Sequence, residues 1–215
     1  MVHFLPWRVA YNENSTTTPV RLVFDASAVT EGGFAMNHLL ALGINSINSL
    51  LEIWLRWRVW RVAIHTDVTK MYNVVKLMEK HWKYQKYLFD YDLDPAREPS
   101  DKVITTLIYG VRSSGNQAQV AMRRVAEILK EKFPLAAEAV LPDIYVDDCA
   151  SGATNMEKAE DLAADISELI SFGGFSTKGV TMSGKPPLPK LSKDCLLYTS
   201  PSPRDRTRSR MPSSA

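Results

Sequence analysis

Leu141-Pro142-Asp143-Ile144-Tyr145-Val146-Asp147-Asp148-Cys149-Ala150-Ser151-Gly152 is the stretch on which the reading of this chain turns. Read as a hairpin, it is a short apolar strand, Leu141 to Ile144, that leads into a turn, Tyr145-Val146-Asp147-Asp148, carrying two carboxylates. A strand alternates its side chains between two faces, so adjacent aspartates point one way only where a turn reorients one of them. Carboxylates at such a tip offer oxygen ligands to a hard divalent cation. Asp-Asp is also ordinary turn chemistry. Four residues alone therefore do not define a reaction, and the motif needs partners elsewhere in the chain.

Two-metal phosphoryl transfer requires a further carboxylate brought in on a rigid element. Arg58-Val59-Trp60-Arg61-Val62-Ala63-Ile64 alternates polar and apolar residues like a half-buried strand, with residues 60–66 expected to deliver Asp67 through His65-Thr66-Asp67. Val68-Thr69-Lys70-Met71-Tyr72-Asn73-Val74-Val75 follows as a helical or turn segment, with Tyr72 five residues past the aspartate. An aspartate closing a strand is also a common helix cap. Its pairing with the downstream hairpin is what marks Asp67 out.

An aspartate closing a strand, an aromatic five residues later and a downstream Tyr145-Val146-Asp147-Asp148 together resemble the palm of a reverse transcriptase. The flanks narrow the resemblance to the Bel/Pao group of LTR retroelements. Thr16-Thr17-Thr18-Pro19-Val20-Arg21-Leu22-Val23-Phe24-Asp25-Ala26-Ser27 is similar to that group's fingers motif, and Asn37-His38-Leu39-Leu40 to the element after it. Tyr109-Gly110-Val111-Arg112-Ser113-Ser114 stands at the third polymerase motif. Gly173 to Gly184 resembles the lysine-bearing motif after the catalytic hairpin. The motifs keep the family order from about residue 4 to about residue 194.

The resemblance implies an α+β fold, a reverse-transcriptase fingers and palm with an antiparallel palm sheet packed on helices and the thumb missing. Residues 1–59 would be fingers-like and residues 60–194 the palm. Asp67, Asp147 and Asp148 would be the catalytic aspartates. Asp67 and Asp147 would bind metal directly, the Val68 carbonyl would add a ligand, and Asp148 would tune the site. Lys178 would protonate the leaving pyrophosphate. Arg21 would meet the incoming phosphates, and Tyr72 would be the ring that excludes a 2′-hydroxyl. Gly110 and the small residues after it would let backbone approach the base pair, with Gln117 beside them in the substrate-binding segment. The family often carries a proline where this chain reads Ser114-Gly115-Asn116. The implied cofactors are two Mg²⁺ ions, with Mn²⁺ as a substitute. The implied partners are an RNA or DNA template with its primer, deoxynucleoside triphosphates, and further polyprotein domains (thumb, ribonuclease H, integrase). The setting would be cytoplasmic, in a virus-like particle.

Composition sets bounds on this reading. The 215 residues are 45% hydrophobic and 23% charged, ordinary values for a globular protein. No run approaches the roughly 18 uncharged apolar residues of a membrane span, and the N-terminus lacks a signal-peptide layout. Two cysteines, Cys149 and Cys195, exclude a disulfide framework and a cysteine zinc site, and point to an intracellular protein that is not secreted. The net charge of +2 is carried by the C-terminus. The last 25 residues hold five basic and two acidic residues, leaving 21 basic against 22 acidic elsewhere. Template contacts would then need local patches such as Arg56-Trp57-Arg58-Val59-Trp60-Arg61 or Arg123-Arg124, which read equally well as solvated faces.

Periodicity predicts a strand over 21–24. It also predicts an amphipathic helix burying Ile47, Leu50, Leu51, Trp54 and Leu55, and strands over 83–90 and 102–109. A helix over Asn116 to Lys132, with Ala121, Val125, Ile128 and Leu129 inward, would end at Pro134. Thr154 and Glu157 have capping-box spacing ahead of a stripe at Ala159, Leu162, Ala163, Ile166, Leu169 and Ile170, closed by Gly173-Gly174. Residues 195–215, rich in Ser, Pro and Arg, read as a disordered tail more like a translated library adapter than a retroelement segment. The main alternative to a polymerase is a non-catalytic nucleic-acid-binding remnant of a degenerate or domesticated retroelement.

Overall fold

A computed structural model describes residues 3–13, 18–90 and 98–184. Thr16 and Thr17 of the fingers-like motif, the Pro95 segment, and the expected tail at 195–215 lie outside the described residues. The described chain is α+β with antiparallel sheets. In order it runs β1 (Trp7–Tyr11), β2 (Val20–Phe24), α1 (Met36–Leu39), α2 (Leu50–Trp57), β3 (Val62–Thr69), α3 (Met71–Val74) and α4 (Glu79–Trp82). Then come β4 (Lys86–Phe89), β5 (Ser100–Val103), α5 (Ser114–Ile128), α6 (Pro134–Asp143), β6 (Ile144–Tyr145), β7 (Asp148–Ala153), α7 (Met156–Phe172) and β8 (Ser176–Met182).

A four-stranded antiparallel sheet, in the order β6-β7-β3-β8, is the frame of the molecule. Burial alternates residue by residue along β3. Val62, Ile64, Thr66 and Val68 are buried, while Ala63, His65, Asp67 and Thr69 stay partly open on the other face. The covered face meets α5, α6 and α7 through Met122, Ala126, Val140, Ile144, Cys149, Ile166, Leu169 and Ile170. Burying one Val, Leu, Ile or Met side chain of this set stabilises by roughly 1.5–3 kcal/mol. On α7 the buried residues are Ala159, Ala163, Ile166, Leu169 and Ile170, as its 3.6-residue period predicts.

Two smaller antiparallel pairs, β1-β2 and β4-β5, lie beyond this frame. The rings of Trp7 and Phe89 stack at 5.4 Å and those of Phe24 and Tyr87 meet edge-on at 5.2 Å. A separate cluster joins Leu5 and Ala26 to Ile108 and Val111. It therefore draws residues from both sides of position 59.

Several local expectations are corrected. The stripe Ile47, Leu50, Leu51, Trp54 and Leu55 faces outward, and Ile53 is the buried residue of α2. Polar anchoring rotates this helix: Trp57 Nε1 donates to Ile64 O at 3.1 Å, and Arg56 Nε to Asp143 Oδ1 at 2.8 Å. On α5, Ala118, Gln119, Met122 and Ala126 form the buried line, with Ala121, Val125 and Leu129 at its flank and Ile128 exposed. Pro134 does not end that helix but opens α6, at the first helical position where its missing N–H costs nothing. Leu141, Pro142 and Asp143 are the last turn of α6, so the strand into the turn is only Ile144–Tyr145. The strand expected over 102–109 is instead Ser100–Val103. Asn155 caps α7 by accepting from Lys158 N–H at 2.9 Å, in place of Thr154.

Candidate active site at the hairpin turn

The turn between β6 and β7 has two residues, Val146 and Asp147, because Tyr145 pairs with Asp148. Such a tight link requires left-handed backbone, and Val146 adopts φ +56°. For a β-branched residue that conformation stores roughly 1–3 kcal/mol, so neighbours must hold the turn. Two do. Val68 N–H donates to Asp147 O at 2.7 Å, and Gln119 Nε2 donates to Val146 O at 2.6 Å.

These restraints put the hairpin beside β3. Asp67 lies directly opposite Asp148 in the ladder, on the face away from the helices. His65, two residues earlier and therefore on the same face, contacts Asp148, with His65 Nε2 3.0 Å from Asp148 Oδ1. On the other side of β3 the pairing with β8 slips between Thr66 and Val68, a bulge spanning Lys178 and Gly179. Thr66 Oγ1 fixes it by donating to Gly179 O at 2.9 Å. Lys178 thereby sits where its charge acts on Asp67.

Burial comes first in the electrostatics of the site, and crowded like charges second. Burial raises the Asp67 pKa first, and the charges of Asp147 and Asp148 raise it further, while Lys178 and His65 oppose the rise. Asp147 is raised by burial and by Asp148, and a hydrogen bond from its own backbone N–H partly offsets this. The Asp148 hydrogen bond raises His65 against the lowering effect of burial. Behind the sheet, burial pushes the Cys149 thiol up to about 12, so it stays protonated.

Tyr72 on α3 is half-buried beside this cluster. Burial and the Asp147 charge raise its pKa. Its ring meets Tyr109 edge-on at 4.4 Å. The charges of Asp147, Asp67 and Arg21 all reach Tyr109. Gly110 has φ +90°, and a Cβ there would stand 2.9 Å from Phe24 O. Asn37 ties this segment down: its Nδ2 donates to Gly110 O at 2.8 Å, and its Oδ1 accepts from Arg112 N–H at 2.8 Å.

Asp67, Asp147, Asp148, Tyr72 and Lys178 are therefore brought together, with Val68 fixing the turn through its backbone. Gln117 is exposed on α5, its amide donating to Ser113 Oγ at 2.9 Å. Two arginines of the basic patches are internal braces. Arg56 holds Asp143 and Pro142 O, and Arg123 holds Ser46 O and Asn48 Oδ1. Motif reading quotes Tyr109 and His65 without giving them a role and passes over Gln119. His65 was legible through the two-residue alternation on β3. Gln119 left a fainter sign, a polar residue between Ala118 and Met122 on a buried helix line.

Among the described residues, no group of three or more His, Cys, Asp or Glu side chains stands in a metal-holding arrangement. The donor set nevertheless suits a hard cation. Carboxylate oxygens are its preferred ligands, and burial together with the repulsion of neighbouring carboxylates already raises Asp67 and Asp147. Among the described residues, no helix is long and apolar enough to cross a membrane. No protein-family model matches the chain, and a search of curated proteins found no match.

Proposed function

We propose that this chain is the fingers and palm of an RNA-directed DNA polymerase of a Bel/Pao-like retroelement, working inside the cell on a primer–template and deoxynucleoside triphosphates. The observation that carries the reading is the meeting of Asp67 with Asp148, in register across β3 and β7 on the open face of an antiparallel sheet, and with Asp147 in the adjoining turn. About eighty residues separate them in the chain. Tyr72 and Lys178 stand at the same place.

Asp67 and Asp147 would hold two Mg²⁺ ions, or Mn²⁺, with the Val68 carbonyl and Asp148 beside them. When bound, the metals would activate a primer 3′-hydroxyl and neutralise the triphosphate. Lys178 gives a proton to the departing pyrophosphate. Arg21 orients the phosphates by forked hydrogen bonds. Tyr72 closes the space under the sugar, so that a 2′-hydroxyl clashes.

Primer extension on an RNA template tests the reading. The expected result is Mg²⁺-dependent addition of deoxynucleotides, abolished in Asp147→Asn. Binding of the primer–template with no incorporation at high protein concentration would sink the polymerase reading in favour of the non-catalytic remnant.

A further inference from the structure

We infer that Gln119 is a positioning residue for the metal-binding turn, setting the direction of Asp147 relative to Asp67. The inference rests on the polymerase reading and goes beyond it.

The conformation of Asp147 is defined by the peptide planes on its two sides. The plane before it contains Val146 O, and the plane after it contains Asp147 O. Asp147 O is held by Val68 N–H, part of the β3 ladder. Val146 O is held by Gln119 Nε2, at 2.6 Å. One clamp is backbone and common to any sequence that forms this sheet. The other is a side chain, and is thus a choice made by this sequence. With Val146 strained at φ +56°, removing that clamp frees the first plane to rotate and takes the Asp147 carboxylate with it.

The burial of Gln119 argues against a purely structural role. It is 1% exposed, within a line of small and apolar residues. Its Oε1 has no hydrogen-bond partner among the described residues. A buried acceptor left unmade is costly, whereas an apolar side chain of the same length would fit the line without that penalty. For packing alone, methionine would serve at least as well. The amide adds its grip on Val146 O.

Mn²⁺ binding to the full chain, followed by the loss of the free-ion electron paramagnetic resonance signal, separates the cases, with thermal unfolding recorded in parallel. Gln119→Met should keep the wild-type unfolding temperature within a few degrees, yet bind Mn²⁺ on the order of 10-fold more weakly. Gln119→Asn keeps the amide but falls one methylene short. It should lose affinity to a similar degree, which covers the case in which the methionine variant does not fold. Val146→Gly, added to Gln119→Met, should recover part of the affinity, because glycine adopts the left-handed turn unaided. Wild-type Mn²⁺ affinity in Gln119→Met or Gln119→Asn overturns the inference and leaves the polymerase reading standing. Absence of Mn²⁺ binding by the wild-type chain overturns both.

Discussion

Replacing Asp67 by Asn should make the protein more stable at neutral pH while removing its metal affinity. The substitution keeps the shape and deletes the charge. Burial and the charges of Asp147 and Asp148 raise the pKa of Asp67 above its value in an unfolded chain. A carboxyl shifted that way favours folding fully below its unfolded pKa, and that contribution is lost as pH rises through the folded value. At neutral pH the ionised Asp67 is therefore a liability, which Asn removes. Asp67 is only about half-buried, so solvent screens most of the effect, and the expected gain is ~0.5–1 kcal/mol. For a domain of this size that is a rise of ~1–4 °C in unfolding temperature.

Far-UV circular dichroism melts between about pH 4 and about pH 8 should show the gap between variant and wild type closing as pH falls toward the carboxylate range. His65 alters the comparison only slightly. Its raised pKa, due first to the Asp148 hydrogen bond, favours folding fully below 6.5 and loses that contribution as pH rises through the folded value, and the substitution removes only the smallest of its causes, the Asp67 charge. Added salt should narrow the gap, because part of it is charge repulsion. Mg²⁺ at about ten times its dissociation constant should stabilise the wild type by ~1.4 kcal/mol and the variant hardly at all. An Asp67→Asn protein that melts below the wild type at neutral pH would refute the reasoning. It would mean that the attraction to Lys178 and His65 outweighs burial and the two neighbouring charges.

The frame of the fold was legible in residues with a clear period. Val62 to Val68 alternates, and Ala159 to Ile170 repeats every three or four residues, and both behave as read. The reading failed where a polar contact across the fold overrode the local pattern. The apolar stripe of α2 predicts its own burial, but Arg56 and Trp57 are held to Asp143 and Ile64, and that turns the stripe outward. Propensity carries no record of a partner some ninety residues away. The same limit hid α6. A proline before Asp143 reads as the approach to a turn, whereas Pro142 occupies a last helical turn buttressed by Arg56 at its carbonyl. Residue types at the site were legible because Asp-Asp and a strand-borne aspartate carry chemistry in themselves. What orients them was not. Gln119 belongs to a helix whose sequence says only that one face is buried.

Two further outcomes are expected. Tyr72→Ala, assayed by primer extension, should admit ribonucleotides while sparing part of the deoxynucleotide activity; unchanged sugar selectivity with activity retained would make Tyr72 a packing residue. The ion pair that braces the hairpin should respond asymmetrically to truncation. Asp143 has 6% of its side chain exposed and Arg56 39%. Asp143→Ala leaves a guanidinium that water can reach and that still donates to Pro142 O, so its cost should be ~1–2 kcal/mol. Arg56→Ala leaves a buried carboxylate without its cation beside the hairpin, and should cost ~3 kcal/mol or more. Because that cost comes from the uncompensated charge, the double variant should be more stable than Arg56→Ala alone. Urea unfolding of the three variants decides the matter: equal costs for the single changes, or a double variant less stable than either, would show that the pair acts through packing and not through charge.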